Sequence, residues 1–411
     1  MDRLIKDTRL FKLKGKVQHY AWGGYEFIPR LLGVENNAHQ PYAEYWLGAH
    51  DKAASEVLLP DHSVIPLPEF IAASPQEYLG TVVAKRFGRL PFLFKVLDVH
   101  EMLSIQVHPT KAEAEKGFAR ENAAGIPLHA SNRNYKDDNH KPEVMVALSE
   151  FWLLHGFLPE EKLRKVLQEV MEFSVLLPVF DQEGYYGLYR HVMEMPQEEV
   201  NKLLLPLVQQ AVPLYQAGAL RRSDPAYWAA KALVSGMTRT DQLDRGIFSI
   251  YFFNIVQLHP GEGIFQAAGI PHAYLEGQNM ELMANSDNVL RGGLTPKHVD
   301  VAELLKHTRF EGIVPNPLKG EDTNGRTEQV YSCPVPDFTI SKIEVNPSQS
   351  FHNEPVSMEI IILIKGLATI KGSVMLSVGK GESVLVLPGE RYEIAASGDA
   401  ILYKAAVPVN R

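Results

Sequence analysis

The sequence predicts a mainly β protein with a helical insertion: a first β block that carries the chemistry, a helical domain, and a second, C-terminal β block of jelly-roll type. Three observations carry this expectation. Short β-type runs broken by Gly, Pro and Asn fill 11–110 and return at 246–277. Between 158 and 237 the apolar residues recur at helical spacing instead. From 328 to 411 several short segments alternate apolar and polar residues between Gly-bearing turns, the texture of a sandwich or jelly roll. The boundaries follow: 1–157 plus 246–317, 158–245, and 318–411.

In the first block KVQHYAW, SEVLL, FLFKVL and LSIQVHP read as strands, with PEFIAASPQEYLGTVVAKRF supplying short helices between them. TKAEAEKGFAREN is helical in composition, and Thr110 after Pro109 can cap it. The polar stretch ASNRNYKDDNHKPE reads as a loop that delivers its last residues into the strand VMVAL. In LPEEKLRKVLQEVMEF, Leu163, Val166, Leu167 and Val170 stand at i, i+3, i+4 and i+7, one apolar helix face. PQEEVNKLLLPLVQQAVPLYQAG and DPAYWAAKALVSGM extend the helical block, and TPKHVDVAELLKHT adds a helix after β texture resumes.

The chain has 411 residues, enough for two or three cores. A formal net charge of −8 argues against a nucleic-acid or anionic-membrane surface, although it leaves room for a local basic cleft. A single cysteine, Cys333, excludes an intramolecular disulfide and suits a reducing compartment. No run of about 18 apolar residues and no apolar leader segment is present, so the expectation is a cytoplasmic chain with no membrane span.

Gln106 and His108 stand two apart in an apolar strand and so share a face. Each is costly to bury without a partner, which leaves two readings: a satisfied core network or half of a metal site. Glu143 leads the VMVAL strand and His272 follows a Gly-Ile-Pro turn. Two imidazoles, a carboxylate and an amide oxygen form a thiolate-free N/O set suited to Zn²⁺ or another divalent first-row ion. PGEGIFQAAGIPHAYLEG at 260–277 and GKGESVLVLPGERYEIAASG at 379–398 share a plan that resembles the second half of a cupin motif. The first copy holds His272 where a ligand would sit; the second holds Arg391 and Tyr392 and no imidazole. The pair reads as two related barrels, one equipped with a metal and one without.

YAWGG (20–24), EYWLGAH (44–50), LSIQVHP (103–109), KDDNHKPE (136–143), GIPHAYLEG (269–277) and NSDNVLRGGLTPKHVDV (285–301) together resemble, in order, the motifs of the type I mannose-6-phosphate isomerase family. They span almost the whole chain. The resemblance implies a cupin fold with one Zn²⁺ per chain and interconversion of mannose 6-phosphate and fructose 6-phosphate through a cis-enediol(ate). It implies Gln106, His108, Glu143 and His272 as zinc ligands and Arg291 as the catalytic arginine. Glu281 is our first choice for the proton-transfer base, with Lys141 as another candidate. Ser104, Lys95 and Lys297 are candidates for the substrate phosphate, and Tyr274 and Trp22 for the sugar. At Lys95 a solvated strand edge is the rival reading; His155 and His307 read as surface or packing residues. The expected partner is a small sugar phosphate, and the expected state a monomer or weak homo-oligomer. Two rivals remain: an iron-dependent cupin oxygenase, whose ligand set is usually richer in histidine, and a sugar-binding protein without turnover.

Overall fold

The computed structural model describes residues 8–409, whose strands form a nine-stranded, a ten-stranded and a four-stranded sheet. Two blocks of the chain repeat the same strand pairing. In the first, Gly263–Gln266, Glu143–Ala147, the second half of His272–Ala284, Phe92–Val99 and Glu44–Gly48 lie side by side, all antiparallel. In the second, Ser383–Val386, Glu359–Lys365, Ala400–Ala406, Thr339–Val345 and Glu328–Tyr331 follow in the same spatial order. The opposing strands repeat as well. Phe253–Leu258, Phe151–Phe157, the first half of His272–Ala284 and Gln106–Val107 correspond to Met375–Gly379, Leu367–Lys371, Tyr392–Ala396 and Phe351–Asn353.

That correspondence locates the helical block. Residues 158–252 connect Phe151–Phe157 to Phe253–Leu258, whereas in the second block residues 372–374 make the same connection. The inserted helices Glu160–Glu169, Leu177–Glu194, Gln197–Gln216, Pro225–Val234 and Gly246–Phe252 fill that connection. In Gln197–Gln216 the buried face is Val200, Leu204, Val208 and Ala211, at helical spacing. The helix tolerates Pro206 and Pro213 in its interior, each costing a backbone hydrogen bond. Among the described residues no helix is long and apolar enough to cross a membrane.

Strand Phe92–Val99 shows why the pattern reads as nearly continuous apolar sequence: all eight residues are buried. Phe92, Phe94 and Val96 face a core shared with Ile360, Ile362 and Leu385 of the second block, while Leu97 and Val99 face the inside of the first. Lys95 belongs to that inner side by alternation. Strand Leu10–Lys14 pairs with both Ser383–Val386 and Glu56–Leu58, so one sheet runs through the N- and C-terminal parts of the chain.

Two expected elements are shorter than their sequence texture. LSIQVHP forms a ladder only over Gln106–Val107, because Leu103 and Ile105 donate instead to the lone carbonyls of Tyr274 and Gly293. TPKHVDVAELLKHT is helical only over Val301–His307; Asp300 accepts from the Glu303 amide at 3.0 Å and fixes that start. Thr110 caps Lys111–Ala123 through the Glu113 amide, as its position suggests.

Candidate metal centre

The ladder sets the centre before any side chain is considered. His272 pairs with Gln106, and Gln106 pairs on its other side with Arg291, so three strands put these residues on one line across the sheet. Glu143 opens the neighbouring strand Glu143–Ala147. His108 Nε2 stands 3.5 Å from one Glu143 oxygen and His272 Nε2 stands 3.3 Å from the other. One donor atom from each of the three residues lies within 4.8 Å of the others, and all three residues are buried.

The protonation states follow from the remaining contacts. His108 Nδ1 lies 2.9 Å from the Asn288 carbonyl and His272 Nδ1 lies 2.8 Å from the Ile270 carbonyl. A carbonyl only accepts, so each Nδ1 carries the proton. Burial pushes the His108 imidazole down to about 4, which makes it neutral near pH 7 and leaves Nε2 as a bare lone pair. That atom is buried and has no hydrogen-bond partner. Burial also pushes the Glu143 carboxyl up, but the Lys141 ammonium at 3.1 Å holds it well below the ordinary carboxylate range. A lone pair aimed at an anion is repulsive, and a shared cation turns that repulsion into binding. The donor set fits a divalent ion with N/O preference.

Gln106, Glu143, His272, Lys141, Lys95 and Glu281 line one cavity of about 60 Å³, joined by Glu44 and Tyr274. Lys95 is buried, so the solvated-edge reading of this residue is corrected: its ammonium lies 2.9 Å from Glu281 and 3.2 Å from Glu44. Burial favours the neutral amine, yet the two carboxylates outweigh it and raise the Lys95 pKa. Glu281 moves the other way from a usual carboxyl: burial raises it and Lys95 only partly restores it. Arg291 is half-buried with no carboxylate partner among the described residues, and burial lowers its pKa. Lys297 is exposed and feels the Arg291 and Lys52 charges after a larger effect from burial. Ser104 and Trp22 do not line the 60 Å³ cavity; Trp22 stacks on Tyr20 and packs at the edge of the barrel core.

Sequence reading passed over several residues that shape this centre. Glu44 opens EYWLGAH and completes the Lys95 ion pair; its alternation with Trp46 was the available signal. Asn288 locks the loop before Glu143. Its side chain donates to the carbonyls of Asp137 and Asn139 and accepts from the Lys136 amide, while its own carbonyl orients His108. Of the surface and packing readings of His155, packing holds. The residue is buried, bonds Gln266 and faces His272 across the ladder. His307 packs, bonded to Tyr135 and Glu303.

Fold and centre together define a class: a sheet-rich enzyme whose buried His–Glu–His cluster can hold a metal ion, with Lys95 and Lys141 lining the same small cavity. The model of the family "phosphomannose isomerase type I, catalytic domain" matches residues 10–160. The mannose-6-phosphate isomerase of Escherichia coli (strain K12) is 39% identical over 384 residues, covering 92% of this chain and 95% of that protein. The Bos taurus mannose-6-phosphate isomerase is 34% identical over 92% of this chain and 95% of its own length. Among solved structures, the mannose 6-phosphate isomerase of Salmonella typhimurium, bound to its substrate and to zinc, superposes with a TM-score of 0.86. It shares 35% identity and covers 98% of this chain and 100% of its own. The chain belongs to the type I phosphomannose isomerase family.

Proposed function

We propose that this protein interconverts mannose 6-phosphate and fructose 6-phosphate with one zinc ion per chain held by His108, Glu143, His272 and Gln106. The observation that carries the reading is the bare, buried His108 Nε2 aimed with His272 at Glu143. The zinc seen in the Salmonella relative supports the choice of metal. When bound, the ion supplies Lewis acidity for negative charge that develops on the sugar oxygens.

The chain's own groups do the rest. Isomerisation moves a proton between C1 and C2 through a cis-enediol(ate). Glu281, raised by burial and held by Lys95, is placed to accept and return that proton. Lys141, lodged against Glu143, is the alternative base. Arg291, with no internal carboxylate, is free to stabilise the enediolate charge, and its guanidinium stays protonated throughout. Lys297 and Ser104 take the phosphate, and Tyr274 a sugar hydroxyl. Lys95, already matched to two carboxylates, sets the basicity of Glu281 in place of gripping phosphate.

The strand-for-strand repetition supports two cupin-type jelly rolls. One is made of 1–157 plus 246–317, which also bears the helical domain 158–245; the other is 318–411. The test pairs elemental analysis of the purified protein with a coupled assay of mannose 6-phosphate turnover, before and after a chelator. Turnover that is lost with zinc and restored by it is expected. A metal-loaded protein with no turnover refutes the reading.

A further inference from the structure

The second barrel contains a buried charged cluster that no part of the isomerase reading uses. Matching the two blocks by ladder register places each of its members. In the first barrel Gln106 pairs with His272, and in the second Asn353 pairs with Tyr392. Glu143, opposite Gln266, corresponds to Glu359, opposite Val386. Two residues on, Met145 faces Glu281 and Ile361 faces Lys404. Glu281 in turn faces Lys95, and Lys404 faces Ser341. Finally, Glu44 stands beside Leu97 and Glu328 stands beside Ile343, each two residues past the preceding match.

The register therefore carries three of the four positions proposed as ligands into the second barrel as Asn353, Glu359 and Tyr392. Their polar atoms still converge. Asn353 Nδ2 donates to Glu359 at 3.0 Å and the Tyr392 hydroxyl donates to the other Glu359 oxygen at 2.6 Å. The cation they face is Lys404, whose Nζ lies 3.4 Å from Glu359 and 2.8 Å from Glu328. Ser341 Oγ donates to the same Glu328 oxygen at 2.6 Å. The lysine of the first barrel sits one strand away from this position, at Lys95. In the second barrel serine fills that place and the lysine has moved onto the central strand. Burial favours a neutral amine at Lys404, but Glu359 and Glu328 outweigh it and keep the ammonium charged.

We infer that the second barrel keeps the cation seat of the first and fills it with its own Lys404 ammonium, so that it needs no metal and takes none. The inference rests on the ladder register and on the ligand set proposed for the first barrel, and it does not depend on that barrel's isomerase activity. Two buried carboxylates against one ammonium leave an excess negative charge, which the hydroxyls of Tyr392 and Ser341 and the amide of Asn353 disperse.

The experiment truncates the lysine. Lys404→Ala and the parent, both as the full chain, are titrated with Co²⁺ and followed by visible absorption and thermal melting. The expected result is a lower melting temperature for Lys404→Ala that recovers with Co²⁺. A cobalt absorption beyond the parent's should appear, matching a second ion per chain. A variant that melts like the parent and binds no additional cobalt overturns the inference. If the variant is damaged and cobalt does not repair it, Lys404→Met combined with Glu328→Gln and Glu359→Gln decides. Parent-like melting of that neutral cluster supports charge compensation at the seat. Continued instability overturns it, because the lysine is then needed for its packing alone. Parent-like isomerase turnover in the neutral variant is expected, and its loss would overturn the separation of the two sites.

Discussion

Replacing Lys95 with methionine tests the electrostatics of the first barrel. The ammonium lies 2.9 Å from Glu281 and 3.2 Å from Glu44, and the three side chains are between 5% and 10% exposed. At an effective dielectric constant of about 20, each attraction amounts to about 5 kcal/mol before desolvation is subtracted. Removing one partner of such a buried group strands the others, at a net cost of about 3–5 kcal/mol. Glu281 is already raised by burial, and losing Lys95 raises it further. A carboxyl whose folded pKa lies above its unfolded one stabilises the fold below the unfolded value, and that contribution is lost as pH rises through the folded value. The Lys95→Met deficit should therefore shrink when melting is followed from about pH 7.5 down to about pH 5.5. Adding Glu281→Gln should recover much of the loss at neutral pH, since the stranded charge is gone. A deficit under about 1 kcal/mol, or a double variant no more stable than Lys95→Met, would refute this account of the cluster.

Other outcomes follow from the same geometry. His108→Ala and His272→Ala should each lose bound zinc and nearly all turnover, read by elemental analysis beside the coupled assay; full zinc content in either would remove that residue from the ligand set. Arg291→Ala should keep its metal and show a sharply lower kcat, and parent-like kcat would end the role assigned to this residue. Asn288→Ala removes the side-chain hydrogen bonds that Asn288 makes to Lys136, Asp137 and Asn139. With a net value of about 1 kcal/mol per bond, a loss of several kcal/mol is expected, together with weaker zinc affinity, because the His108 acceptor carbonyl sits on the same residue. Unchanged zinc affinity by competition with a chromophoric chelator would count against that positioning role. Asp300→Ala should cost about 1 kcal/mol as a lost helix cap, seen as a small fall in melting temperature with turnover retained.

Short-range physics is what a string of residues can carry. Period-2 runs announced the strands, period-3.6 runs the inserted helices, and Thr110 sits where a helix start needs an acceptor. The ordered motifs pointed to the family, which the comparisons then showed. LSIQVHP marks the limit of that reading. Its alternation is real, but only Gln106–Val107 finds a ladder partner, and pairing is a property of a distant strand. Other features arise only when distant segments pack together. Lys95 reads as an ordinary charge until Glu44 and Glu281 arrive from two neighbouring strands to bury and match it. Asn288 reads as a loop polar residue until it closes over 136–139 and turns His108. Lys404, in a strand with an ordinary alternation, becomes an interior cation only because Glu328 and Glu359 lie across the sheet from it. A pattern along the chain reports which face a side chain takes. The charge that waits on that face depends on sheet order and register, which are fixed only when distant segments meet.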